Sequence, residues 1–166
     1  MGNFERCVNW TLDQEGGTSN HRSDRGGLTH YGIAKVNHAA AFGGKPPTRQ
    51  LAEAWAREHV WVPIQGDALP VPLDLVVFDA AFHSSPERSV KRMQRSLGLT
   101  GRQVDGKVGP NTLRAIELSD HFKVAHAMLL ARAAALTAQI RAAPSQIDFL
   151  GGWWARTLEL AIEVGE

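Results

Sequence analysis

Glu15 is followed directly by Gly16 and Gly17; a second carboxylate, Asp24, stands nine residues on, and a hydroxyl, Thr29, five beyond that. A carboxylate on the last turn of a helix faces the negative end of the helix dipole, which disfavours its ionised form. Burial against Trp10 and other apolar neighbours would push its pKa the same way. A carboxyl kept protonated near neutral pH is what general-acid cleavage of a glycosidic bond requires. The paired glycines leave room for a sugar chain to approach the backbone. A protonated acid, an ionised carboxylate and a water-positioning hydroxyl make a glycoside hydrolase site, so Glu15, Asp24 and Thr29 are the candidate catalytic residues. The same spacing also reads as a solvated helix end followed by side chains that cap turns.

The elements that must position these groups are helical nearly throughout. Phe4, Cys7, Val8, Trp10 and Leu12 form an apolar stripe behind an Asn3 cap, and Gly16-Gly17 should end that helix at Glu15. Thr18 to Thr29 reads as loop, and a short segment follows near Ala34 to Ala41. Thr48 caps a helix that Pro63 should end; Leu73 to Phe82 reads as a buried helix interrupted only by Asp74 and Asp79. Ser85-Pro86 and Gly109-Pro110 open two more helices, Asp105-Gly106 makes a turn, and Asp120 precedes a long Ala-rich helix that Pro144 breaks. Gly151-Gly152 should precede a last helix beginning at Trp153. Of the five tryptophans, Trp55, Trp61 and Trp153 are expected inside and Trp154 outside. The fold class is mainly α, a helical globule with little or no sheet.

Composition narrows the partners. The chain has 166 residues, 18 Lys plus Arg against 17 Asp plus Glu, a net charge of +1 and one cysteine, Cys7. No basic tail or stripe is read, which argues against nucleic acid, and no apolar run approaches the roughly 20 residues of a membrane span. The lone cysteine precludes an internal disulfide and suits a reducing compartment. Seven histidines show no metal-ligand spacing, and no phosphate-cradling loop or nucleophile elbow occurs, so no cofactor and no metal are expected. The chain reads as a monomer made in the cytoplasm.

The run Glu15-Gly16-Gly17 … Asp24-Arg25-Gly26-Gly27-Leu28-Thr29-His30-Tyr31-Gly32-Ile33 resembles the start of the glycoside hydrolase family 108 lysozymes, mostly phage endolysins that hydrolyse peptidoglycan. Thr18 stands where that family has tyrosine and Arg25 where it has proline, while all three candidate catalytic positions match. The resemblance implies Glu15 as general acid, Asp24 as second carboxylate and Thr29 as the water-orienting hydroxyl. Val77-Phe78-Asp79-Ala80-Ala81-Phe82-His83-Ser84-Ser85-Pro86 is similar to the family's second block, with His83 in place of asparagine. Taken together, the two stretches of resemblance imply Tyr31, Asp79, His83 and Ser84 as substrate-binding residues. Asp79 and His83, four apart on one helix face, could instead pair with each other.

Leu97-Gly98, Val104-Asp105-Gly106 and Gly109-Pro110-Asn111-Thr112 are similar to the predicted peptidoglycan-binding domain that ends family members, and Gly151-Gly152-Trp153-Trp154-Ala155-Arg156 to its closing segment. As physics, the Asp-Gly turn and Gly-Pro helix start join two helices without needing a ligand. The resemblance therefore implies a lysozyme-like globule with a catalytic region at 1–84 and a helical wall-binding region at 85–166, packed together. It implies a muramidase cutting the β-1,4 bond from N-acetylmuramic acid to N-acetylglucosamine, made in a host cytoplasm and reaching the wall after another protein permeabilises the membrane. A lytic transglycosylase, which leaves 1,6-anhydro ends, and a non-catalytic peptidoglycan-binding protein are the two rivals.

Overall fold

The computed structural model describes residues 3–15, 18–19, 29–31, 33–34 and 42–165. Helix α1 spans Asn3–Glu15, with Phe4, Cys7, Val8, Thr11 and Leu12 on its buried face. Three two-residue strands follow, β1 (Thr18–Ser19), β2 (Thr29–His30) and β3 (Ile33–Ala34), in an antiparallel ribbon with β2 central. The register pairs Thr18 with His30 and Ser19 with Thr29 on one side, and Thr29 with Ala34 and His30 with Ile33 on the other. The sequence reading of a loop from Thr18 to Thr29 is thus replaced at both ends by this minimal sheet. The segment expected from Ala34 to Ala41 lies, beyond Ala34, outside the described residues.

Helix α2 covers Arg49–Ala56, its N-terminus closed by the Thr48 hydroxyl accepting from the Leu51 N–H at 3.3 Å. A π-helical turn, Arg57–Trp61, continues it before Pro63. Helix α3 (Leu73–His83) buries nine of its eleven residues, and a helix apolar on every side belongs at the centre of a globule. It packs on α1, on α4 (Pro86–Ser96) and on α6 (His121–Ala142). Ser85 and Asp120 cap α4 and α6 as their sequence positions suggest, accepting from the N–H groups of Arg88 and Lys123. Between them α5 spans Pro110–Glu117.

The last helix, α7, departs from expectation. It spans Ile147–Gly165 and runs straight through Gly151 and Gly152 rather than starting behind them. Both glycines are exposed, and a Cβ on either would meet nothing within 4 Å. Glycine weakens a helix interior by only about 1 kcal/mol, and burial of Arg156, Thr157, Leu160 and Val164 on the far side outweighs it.

One hydrophobic core joins Phe4, Cys7 and Leu12 of α1, Trp61, the α3 face, and Met128, Leu129 and Leu160 from the C-terminal half. At its N-terminal end Phe4, Trp61 and Phe78 make an edge-to-face trio with centroids 5.5, 5.8 and 6.1 Å apart. Gly66 lies flat on the Trp61 indole, where a Cβ would sit 2.2 to 2.5 Å from three ring atoms. Trp61 has no exposed surface and its Nε1 donates to Asp67 at 2.9 Å, so the ring has nowhere to retreat. Gly66→Ala is therefore expected to destabilise the fold by roughly 2–3 kcal/mol, the upper part of the overpacking range, read as a lowered midpoint in thermal or urea unfolding.

The turn that resembles a wall-binding signature is a fold device. Buried Gln94 accepts from the Gly106 N–H at 2.9 Å and donates to Asp105 Oδ1, the Lys107 carbonyl and Thr112 Oγ1 at 2.8, 3.0 and 3.1 Å. One side chain thereby ties α4 to the turn and to α5, and the motif's polar groups are used internally.

Candidate functional site

Helix α1 delivers Glu15 from its last turn, α3 delivers Asp79 and His83 from one face, and α6 and α7 deliver Arg132 and Arg156. These five side chains form one connected charge cluster. Asp79 lies at its centre with no exposed surface. Its Oδ1 accepts from Arg156 Nη2 and Nε at 2.6 and 3.1 Å, while Arg132 Nη1 donates to its Oδ2. Arg156 then reaches past Asp79, donating through Nη1 to Glu15 Oε1 at 2.6 Å and through Nη2 to the Thr11 carbonyl at 3.3 Å. Its guanidinium carbon sits 5.5 Å from the Trp10 ring centroid. His83 Nε2 lies 3.1 Å from Glu15 Oε1 and 3.6 Å from Asp79 Oδ1.

The electrostatics follow from these contacts. Burial alone would push the Asp79 carboxyl up, but His83, Arg156 and Arg132 outweigh it and hold it well below the usual carboxylate range. Burial likewise opposes the ionised form of Glu15, whose side chain is 16% exposed, yet His83 and Arg156 bring its pKa below the ordinary value. His83 loses hydration too, and here Asp79 and Glu15 prevail, raising its pKa. This corrects the expectation that Glu15 is held protonated by an apolar pocket. Desolvation acts in the expected direction, but two cationic partners reverse the sign.

The remaining candidates divide. Asp79, expected to touch substrate, is sequestered with its oxygens occupied by two arginines, so it positions Arg156 rather than contacting a ligand. His83 keeps a third of its side chain exposed, faces Glu15 and lies within ion-pair distance of Asp79, so the reading in which it pairs with Asp79 is met. Ser84 is exposed at the end of α3, its Oγ donating to the Ala80 carbonyl at 2.7 Å. The half-buried Tyr31 takes a left-handed backbone (φ +48°) just after β2 and packs against the core. Thr29 sits on β2, the central strand, and Asp24 lies outside the described residues.

Among the tryptophans, Trp61 is inside, while Trp55, Trp153 and Trp154 are all half-buried; Trp153 stacks on Phe149 with centroids 5.7 Å apart instead of entering the core. Sequence reasoning weighed the closing segment for its two tryptophans, whereas Arg156, at its end, is the residue that enters the site. Arg132 carried no signal in an Ala-rich helix. A clue was available in Asp79, since a carboxylate inside an otherwise apolar helix demands buried cations from elsewhere in the chain. Among the described residues no group of three or more His, Cys, Asp or Glu side chains is arranged to hold a metal ion.

Comparison with known proteins gives two family matches. A family described as glycosyl hydrolase 108 matches residues 8–84, and one described as predicted peptidoglycan domain matches residues 88–158. The solved structure of SagA from Brucella abortus superposes with a TM-score of 0.82 at 28% identity, covering 97% of this chain and 92% of that one. No curated protein matches the chain.

Proposed function

We propose that the chain is an N-acetylmuramidase with Glu15 as general acid, supported by the match of residues 8–84 to glycosyl hydrolase 108 and of residues 88–158 to a predicted peptidoglycan domain. The bond is the β-1,4 link from N-acetylmuramic acid to N-acetylglucosamine. The observation that supports this most directly is the contact of 3.1 Å between Glu15 and His83 beside the anchored Arg156. It gives a carboxylate with a built-in proton source.

At rest the Glu15–His83 couple holds one proton, on the imidazole. A glycan chain bound over Glu15 displaces water, and loss of water favours the neutral pair over the charged one. The proton then passes from His83 Nε2 to Glu15 Oε1. Arg156 is not stranded by this transfer, because Asp79 still holds it through two hydrogen bonds. Protonated Glu15 donates to the glycosidic oxygen as the bond to the sugar breaks, and Asp24 with Thr29 activates the attacking water. Direct activation by Asp24 gives an inverted product, with carboxyls about 6.5–9.5 Å apart in such enzymes, whereas a pair about 5–5.5 Å apart gives a covalent intermediate and retention. In an endolysin setting the same cut lyses the host, the enzyme reaching the wall through a lesion made by another protein.

Mass spectrometry of the sugar ends released from purified peptidoglycan tests the reaction class: free reducing N-acetylmuramic acid ends support hydrolysis, whereas 1,6-anhydro ends make it a transglycosylase. The proton couple makes its own prediction. The competent state persists until the couple loses its last proton, at the raised pKa of His83, above the ordinary imidazole value of about 6.5. In His83→Asn only the carboxyl of Glu15 can hold that proton, and its limit falls toward the carboxylate range. The alkaline limb of kcat/KM should move down by at least about one pH unit, with the acid-side rate kept within roughly tenfold. A limb that stays in place refutes the shared proton.

A further inference from the structure

Arg88, Lys91, Arg92 and Arg95 stand at i, i+3, i+4 and i+7 along α4 and so share one face. With Ser96 of α4 and Ala131 of α6 they line an open groove of about 570 Å³ that has no carboxylate in its wall. Lys91 is tied to Glu87 at 2.5 Å, whereas Arg88, Arg92 and Arg95 have no ion-pair partner among the described residues. Arg92 is half-buried, and burial together with Arg132 and Arg95 lowers its pKa. A chain of net charge +1 that gathers four cations on one helix face bears the repulsion of every neighbouring pair. The sequence reading missed this stripe because acidic residues elsewhere cancel it in the total.

We propose that this groove binds the carboxylates of the peptide stems of peptidoglycan, beside the charge cluster that holds Glu15. This rests on the peptidoglycan reading above. The groove is linked to the Glu15–Asp79–His83 cluster through Arg132, which holds Asp79 on one side and lies close enough to Arg92 on the other for their charges to interact. The stripe is roughly 10 Å long, seven residues of helix rise, which suits a short peptide carrying several carboxylates rather than a polymer backbone crossing a whole face. The small side chain of Ala131 leaves the space open. Arginine forks match carboxylates bidentately, so the stem would be recognised by geometry as well as charge.

The test measures binding of the full chain to a soluble stem peptide by calorimetry, and its co-sedimentation with intact sacculi and with glycan stripped of stems. The triple variant Arg88→Gln, Arg92→Gln, Arg95→Gln should bind the stem peptide and intact sacculi at least about tenfold more weakly than the parent. Both proteins should sediment alike with stripped glycan, and high salt should remove the parent's preference for stems. The triple variant removes repulsion, so its unfolding midpoint should equal or exceed the parent's. Ala131→Leu, which narrows the groove and leaves every charge in place, should weaken stem binding as well. Equal stem binding by parent and triple variant overturns the proposal, as does a parent that prefers anionic vesicles or a DNA duplex to stem peptide. If the chain releases no sugar ends yet loses stem binding in the variants, the hydrolase reading fails and the groove stands.

Discussion

Arg156→Met is expected to lower stability by roughly 3 kcal/mol and to cut peptidoglycan hydrolysis about a hundredfold. Arg156 is 9% exposed and joins three elements, binding Asp79 of α3, Glu15 of α1 and the Thr11 carbonyl from its place on α7. Methionine replaces the length of the side chain but none of its five donors. Asp79 would keep Arg132 and His83 while losing the two hydrogen bonds Arg156 donates to its Oδ1, which places the cost at the lower end of the range for breaking a buried pair. Glu15 would lose the contact that fixes its carboxylate, and a displacement of about 1 Å at a reacting group is enough for the expected rate loss. For a chain of this size the midpoint of thermal unfolding should drop by about 6–12 °C.

Arg156→Lys separates the two effects. It restores a charge beside Asp79 but cannot bridge both carboxylates, so stability should recover in part while the rate stays low. The acid side of the stability profile should change as well. Glu15 and Asp79 both have depressed pKa values, so each stabilises the fold above its ordinary carboxylate value and loses that contribution as the pH falls through its folded value. Arg156→Met lets both values rise and should therefore unfold at higher pH on acidification than the parent. His83 has the opposite sign: its contribution is full below its ordinary value and is lost as the pH rises through the raised one.

Most helix boundaries were legible because they are written in local chemistry. Thr48, Ser85 and Asp120 each present an oxygen to the N–H three residues on, and Pro86 and Pro110 sit where their missing N–H costs nothing. Glu15 stood out by type and spacing and the Asp79–His83 pairing by its separation of four residues, while His83 as a substrate contact came from the resemblance alone. The pair of arginines was not, since Arg132 and Arg156 lie 53 and 77 residues from Asp79 and nothing local announces a partner at that distance. The sign of the Glu15 shift depended on those same arginines and on His83, so dipole and burial arguments on α1 alone could not reach it. Gly151-Gly152 misled for a related reason: two glycines look like a helix start until the buried face of α7 is known to hold the turn together.

Glu15→Gln is the second large effect. The amide keeps the size of the side chain and can still meet Arg156 and His83 through its oxygen, so the fold should persist. It has no proton to give, and turnover should fall by about a thousandfold. The measurement that bears most directly on Glu15 is the release of free reducing N-acetylmuramic acid ends from one batch of purified peptidoglycan, quantified by mass spectrometry for the parent and for Glu15→Gln at matched folded concentration. The proposed mechanism predicts such ends from the parent and a near-complete loss of them in the variant with its unfolding transition intact. Equal release by the two proteins would contradict it and remove Glu15 from the chemistry.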